Sequence, residues 1–426
     1  MAAYLLSTMA SMQTLIVFSH LRWNFVYQRP QHLLSRMARR WSVVFIEEPV
    51  PGAAEDRIER ITAAPGLEVW RPHVRGAEHG FHPAHKPVLQ RLVAQAIAAQ
   101  DIEDYWLWFY TPMALPMADK LEPQGLIYDC MDELSAFRGA PPELLDQETA
   151  LLRVADVVFT GGRSLYNAKK HRHANIHCFP SSVDALHFRG GIADHPLHAG
   201  IPGPRLGYCG VIDERIDLDL VAGIAQARPE WQVVMVGPTV KIDPAQRPQL
   251  PNVHWLGQQS YQDLPAFING WDVCLLPFAL NDSTRFISPT KTLEYMACGK
   301  PSVSTAIRDV VEPYGHVVPI RADAAGFVSA CDEILARTPA ERQDHARALA
   351  DVTSRTSWDA RATAMMDLIQ DAEAAREARE LPAADIAAEL ARACGTAARA
   401  AARAGGAGWA ADPQCAPAPQ RSISSP

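Results

Sequence analysis

Residues 288–301, SPTKTLEYMACGKP, hold the residue types that grip an anion and a sugar together. Ser288 reads as a helix N-cap, with Pro289 at the first helical position, where its missing N–H costs nothing. Gly299 reads as the C-cap. Lys291 then falls in the first turn, where a cation opposes the helix dipole. The N–H groups of Thr290, Lys291 and Thr292 have no partner within such a helix. Both features suit a docked anion, and phosphate is the usual guest. Glu294 lies three residues on and shares the face of Lys291. It would repel phosphate, but it can accept hydrogen bonds from sugar hydroxyls further along the same ligand. On spacing alone, an ordinary i,i+3 surface pair remains an equal reading.

A second cluster sits at 128–133, YDCMDE, after an apolar run. Carboxylates at a strand's carboxyl end are candidates for a general base that takes a proton from a hydroxyl. Asp132 is the first choice and Asp129 the second; capping of a following helix is the plain alternative. The aromatic run 105–110, YWLWFY, reads as core, with sugar or lipid stacking at its exposed end as the other option. His79, His82 and His85 lie in a Pro-containing loop, and no carboxylate stands at a clear ligand spacing. The same holds for His171, His173 and His177, so no metal site is expected. The loop after the first strand, 19–23 (SHLRW), lacks G-x-G-x-x-G, which weighs against a dinucleotide-dependent dehydrogenase.

The elements that position these residues follow from the apolar pattern. Strands are expected at 13–19, 42–47, 105–109, 125–128, 156–160 and 175–179, with helices at 28–40, 88–100 and 143–154. Continuous apolar strands alternating with helices indicate a parallel sheet covered on both faces. Residues 189–204 (RGGIADHPLHAGIPGP) have no period and read as a linker. The alternation then restarts, with strands at 205–212, 231–237, 252–256, 271–277 and 301–305 and helices at 217–227, 261–269 and 289–298. The expected fold is α/β, with two Rossmann-like doubly wound domains facing a cleft. The domains are 12–188 and 205–370, with 371–426 as an Ala-rich helix and disordered tail belonging to neither. In such sheets ligands bind beyond the carboxyl ends of the strands.

Composition narrows the partners. The chain has 426 residues, a net charge of −8 and 48% hydrophobic residues, which suits two or three globular domains and no nucleic-acid partner. Its 33 Pro exceed its 25 Gly, as expected of many short elements. None of the eight Cys forms a C-x-x-C pair, so buried reduced thiols and a cytoplasmic location are expected. No apolar run approaches the ~18 residues of a membrane span. Arg22, Arg29, Arg36, Arg39 and Arg40 occur without an intervening acid. On one face they would attract an anionic membrane surface; a solvated helix face is the alternative.

The two-domain pattern, SPTKTLEYMACGKP, RPQHLLSRMA at 29–38 and FPSSVDALHF at 179–188 together resemble GT-B glycosyltransferases close to family 4 (glycosyl transferases group 1). The resemblance spans about residues 13–370. It implies transfer of a sugar, an EC 2.4 reaction, from a nucleotide-diphosphate donor, UDP-linked by expectation. The acceptor hydroxyl would belong to a carbohydrate or lipid-linked acceptor, as in cell-surface polysaccharide or glycolipid synthesis at the inner membrane face. Glu294 matches the ribose-binding acid and Lys291 a diphosphate contact, with Ser288, Thr290 and Thr292 around it. Arg215 matches a second phosphate contact. Gly210 and Gly237 would let the backbone approach the donor, and Leu256 and Tyr261 would cradle the base. His20 and Arg22 would face the cleft, His20 for catalysis and Arg22 beside Asp129 on the acceptor side. The resemblance implies no metal and no other cofactor. In one respect the chain departs from the family: Phe286 stands where many members have the first Glu of Glu-x7-Glu, so donor sugar and stereochemistry are not fixed. A nucleotide-sugar epimerase of the same fold, or a binding protein whose catalytic residues have decayed, are the rival readings.

Overall fold

The computed structural model describes residues 13–378 and 383–404. The first sheet is built from β1 (Thr14–Ser19), β2 (Ser42–Glu47), β3 (Arg57–Ala64), β4 (Leu67–His73), β5 (Tyr105–Phe109), β6 (Gly125–Cys130), β7 (Val157–Thr160) and β8 (Ile176–Cys178). Its order is β3-β4-β2-β1-β5-β6-β7-β8. Every pair is parallel except β3 with β4. The chain order reverses between β1 and β5, which makes the crevice above them the expected ligand site. All six residues of β1 and all five of β5 are buried, which is why both read as unbroken apolar runs. The YWLWF run is therefore core.

The second sheet comprises β9 (Arg205–Cys209), β10 (Gln232–Val236), β11 (Val253–Gly257), β12 (Val273–Leu276) and β13 (Ser302–Ser304), in the order β11-β10-β9-β12-β13 and wholly parallel. Around the first sheet lie α1 (Arg29–Met37), α2 (Lys86–Ala98), α3 (Leu144–Val154) and α4 (Arg163–Lys169). Around the second lie α5 (Leu218–Ala227), α6 (Leu264–Asn269), α7 (Thr290–Ala297), α8 (Arg308–Tyr314), α9 (Ala324–Leu335) and α10 (Pro339–Ser354). Local capping sets several of these starts: Asp217 accepts from Leu220 N–H at 2.8 Å, and Thr338 and Glu341 form a reciprocal capping box.

The structure corrects the sequence reading in two places. The hairpin β3–β4 had no sequence expectation. β3 (RIERITAA) is an edge strand with no fully buried residue, so it lacks the apolar run that betrays a central strand. The larger correction concerns the chain end. The last helices, α11 (Trp358–Glu377) and α12 (Ala383–Ala404), return to the first domain. Trp358, Met365, Met366 and Ile369 of α11 join the buried cluster of Leu33, Leu34 and Met37. Ile386, Leu390 and Ala393 of α12 join the cluster beneath α3. The tail thus covers the first sheet, with large apolar side chains at helical spacing, and a few Ala between them, as the contact face. The disorder expected from residue 405 onward lies outside the described residues.

Candidate active site

Two of the cavities between the sheets hold several of the expected site residues. One, the lysine chamber, is about 380 Å³ and is lined by residues 23–27, Gly210, Gly237, Pro238, residues 258–261, Leu264 and Lys291. The other, the aspartate chamber, is about 310 Å³ and contains His20, Asp132 and Arg215. Gly210 borders the first and Val211 the second, so a single turn after β9 separates them.

The lysine chamber begins at α7. The helix starts one residue later than expected, with extended Pro289 as the N-cap and Thr290 as the first helical residue. Ser288 is therefore not the cap. Its carbonyl accepts from Ser181 Oγ at 2.7 Å, and it precedes a proline, which disfavours helical backbone. Thr292 N–H already donates to Pro289 O at 3.2 Å. The open donors at this helix entry are thus those of Thr290 and Lys291. No side chain caps the helix.

Lys291 Nζ lies 3.1 Å from Glu294 Oε2 and donates to Oε1 at 3.4 Å. The i,i+3 pair exists, but it is no surface pair, because the Glu294 side chain is only 1% exposed. Burial alone would lower the Lys291 ammonium; Glu294 beside it holds it above its ordinary value. Glu294 Oε2 is buried with no donor aligned on it, and so is Tyr261 Oη. Buried polar atoms left in this state are costly unless a ligand or water completes them. The Tyr261 ring stacks between Tyr27 at 4.2 Å and His187 at 4.2 Å. Gly210 and Gly237 have φ of 150° and 146°, and a Cβ on Gly237 would lie 1.8 Å from Gly210 O. Only glycine fits there, and the two loops meet backbone to backbone. Leu256, Glu294, Thr290 and Thr292 do not line either chamber. Thr292 is fully buried, and Thr290 Oγ1 lies 3.4 Å from Ser181 Oγ.

The aspartate chamber separates the two carboxylates of 128–133. Asp129 is fully buried, and Arg29 donates to it through Nε and Nη2 at 2.9–3.1 Å. A carboxylate committed to that pair cannot collect a proton from a substrate, so Asp129 is corrected from acceptor-side residue to structural ion pair. Asp132 sits beyond the strand end and faces the chamber. Desolvation pushes its carboxyl up to about 6, against the pull of Arg215 and Arg29. A base so tuned is half ionised near pH 6. Asp132 has a backbone anchor, as Cys130 Sγ lies 3.5 Å from its carbonyl. Neighbouring Glu133 is held by Lys169 at 2.7 Å.

Arg215 lines this chamber and not that of Lys291. Asp213 grips its Nε and Nη2 at 2.7–3.1 Å, which fixes the guanidinium and leaves Nη1 outside that grip. Burial lowers its affinity for a proton, but Asp213, with Asp132 and Tyr208, raises it above its ordinary value. His20 shares the chamber. Arg22 does not; it is tied to Glu47 at 3.0 Å and to Glu48 O at 2.6 Å, and this pairing corrects its acceptor-side assignment. The Arg22–Arg40 run also fails to form an anion-attracting face. Arg22, Arg29, Arg36 and Arg39 all pair with acids that lie far away in sequence.

The sequence reading missed the aromatic loop at 23–27 (WNFVY), which closes over the lysine chamber. Gln258 Nε2 donates across the cleft to Phe25 O. Aromatic density in a loop, where core packing cannot explain it, was the available signal. It also missed Lys241 and Arg138 of the aspartate chamber. Phe286 packs on the first-domain core, so a Glu at that position would lose this apolar contact. Among the described residues, no cluster of three His, Cys, Asp or Glu could hold a metal ion.

Residues 203–337 match the family model described as Glycosyl transferases group 1. A putative teichuronic acid biosynthesis glycosyltransferase, TuaH of Bacillus subtilis (strain 168), is 23% identical over 271 residues, 58% of this chain and 67% of that protein. Sucrose-phosphate synthase of Thermosynechococcus elongatus superposes with a TM-score of 0.69 at 17% identity, covering 85% of this chain and 100% of that one. HepE of Anabaena, solved with UDP and glucose, superposes with a TM-score of 0.61 at 13% identity, covering 84% and 100%. By its two facing α/β domains the chain has the GT-B fold, and residues 203–337, within its second domain, match the group 1 glycosyltransferases.

Proposed function

We propose that the protein transfers a sugar from a UDP-linked donor to an acceptor hydroxyl. The nucleotide occupies the lysine chamber, with its base at the edge of Tyr261 and its ribose hydroxyls on Glu294, which is uncovered as the Lys291 side chain turns to the diphosphate. The diphosphate lies at the entry of α7, on the Thr290 and Lys291 N–H groups and the Lys291 ammonium. Arg215, held by Asp213, reaches it from the adjoining chamber through Nη1. As the glycosidic bond breaks, these fixed positive groups stabilise the departing diphosphate, and no metal is required. Asp132 accepts the acceptor proton, and His20 flanks the reacting sugar. The HepE complex with UDP and glucose supports this class of donor. The reading places the reaction in the cytoplasm, in keeping with the free thiols of the seven described cysteines. The product would belong to a cell-surface polysaccharide or glycolipid.

The observation that carries the reading is the α7 entry itself. It offers an uncapped helix start with a lysine, paired to buried Glu294 and beside a buried Tyr261 phenol oxygen with no hydrogen-bond partner. The test is UDP binding by calorimetry and UDP release from a donor panel, for the wild type, Lys291→Ala and Glu294→Ala. Unchanged binding in both variants overturns the site. Interconversion of donor sugars without acceptor would indicate an epimerase, and binding without turnover a decayed enzyme.

A further inference from the structure

The aspartate chamber carries polar and charged groups, among them His20, Asp132 and Arg215, and beside them a larger apolar wall, chiefly Leu21, Met113, Met131, Leu134, Phe137 and Leu144. Met131, Leu134 and Phe137 are only half-buried by the protein, so the enclosed space of about 310 Å³ is bounded by apolar surface that the fold leaves open. A polyhydroxyl acceptor filling that space would press its hydroxyls against carbon and lose their hydrogen bonds to water. An apolar group loses nothing by entering and removes the wall from water. Methionines on the wall can adapt to irregular shapes.

The wall is also held in place. It is formed largely by the segment 134–141 (LSAFRGAP), which bridges to the second domain where Arg138 N–H donates to Glu214 Oε1 at 3.2 Å. Arg215 and Lys241 lie 5.4 and 5.5 Å from the Phe137 ring centroid, so two cations stack on this ring. The apolar surface is therefore a fixed lining of the cleft and adjoins Asp132.

Resting on the glycosyl-transfer reading, we propose that the acceptor is amphiphilic. Its hydroxyl meets Asp132, and the group that carries it, an alkyl or isoprenoid chain or an aromatic ring, fills the space between Met113, Leu134 and Phe137. The acid–base step is balanced by proton transfer from the hydroxyl to Asp132 as its oxygen bonds to the sugar's anomeric carbon and UDP leaves.

The test uses the full chain with methyl, octyl and phenyl β-glucosides, the octyl compound below its micelle concentration. Binding is measured by calorimetry, and transfer from whichever UDP-sugar the panel identifies. The expected result is at least tenfold tighter binding, and tenfold higher kcat/KM, for octyl or phenyl than for methyl glucoside. Preference for octyl identifies a chain-like carrier and preference for phenyl an aromatic one. Leu134→Gln, with Met131→Gln as a second variant, should reduce the preference to within about twofold. Equal binding of the three glucosides, or a preference that survives both substitutions, overturns the proposal. Because binding is read without turnover, failure of catalysis alone would count against the transfer reading and not against this one.

Discussion

The two chambers of one cleft solve different problems. In the lysine chamber a helix entry, two glycines in contact, the Lys291 ammonium and an unpartnered Tyr261 phenol stand among the aromatic side chains of the 23–27 loop. Such groups are costly when empty and fixed when filled, which suits a ligand of invariant shape and charge. In the aspartate chamber one tuned carboxylate stands against an apolar wall. Burial there acts on the carboxylate's proton. The same low-dielectric surroundings that raise Asp132 also suit an apolar partner. Asp129, three residues earlier, shows what decides the difference. With Arg29 against it the carboxylate is a structural part; beyond the strand end, without such a partner, the Asp132 carboxyl is pushed up to about 6.

The sharpest way to break the contrast is Asp132→Asn. We expect kcat to fall by about 10²–10⁴-fold with UDP affinity retained. In the wild type, kcat/KM should fall as pH drops through about 6, because the raised carboxyl takes up a proton and can no longer accept one. A rate profile flat from pH 5 to 8, or a UDP affinity lost with the rate, would remove Asp132 from its role. Next comes Arg29→Met, which leaves Asp129 buried and unpaired. Denaturant unfolding should show a loss of about 3–5 kcal/mol. A loss below about 1 kcal/mol would mean that Asp129 is free to act as a base after all.

Lys291→Ala should weaken UDP binding by about ten- to a hundredfold, or ~1.4–2.8 kcal/mol. Part of that loss is Glu294 left without its cation. Lys291→Met combined with Glu294→Gln should therefore fold more stably than Lys291→Ala, as thermal unfolding without ligand can check. The smallest effect concerns His32, which stacks on Trp358 at 4.7 Å and has no hydrogen-bond partner on either ring nitrogen. Burial, then Arg36, Lys291 and His187, hold it well below its ordinary value. The unfolded chain binds this proton more readily, so stability should fall as pH drops below about 6.5, by up to ~1.4 kcal/mol per unit. His32→Phe should flatten that acid slope; a slope unchanged by the substitution assigns it to other groups.

Much of this architecture was legible in the chain. Central strands such as β1 and β5 are buried on both faces, and continuous apolar runs follow from that necessity. The helix carrying Lys291 and Glu294 was legible because proline, a lysine and a following glycine punctuate it. Its first residue was not, since the Ser181–Ser288 contact that shifts the entry joins residues 107 positions apart. The edge strand β3 escaped because none of its residues is fully buried, which leaves its apolar pattern weak. The aromatic loop at 23–27 escaped because no spacing rule says which loop meets the opposite domain.

The sequence alone determined the local quantities: where the central strands and several of the helices run, and that Lys291 and Glu294 share a face. These depend on neighbours a few residues away. Tertiary structure decided which groups keep their charge and their freedom. It buried Arg29 onto Asp129 and left Asp132 at the cleft, put Arg215 in one chamber and Lys291 in the other, and folded the Ala-rich end back over the first sheet. Each of these outcomes is a desolvation or a long-range pairing, and both arise only when distant parts of the chain exclude water together.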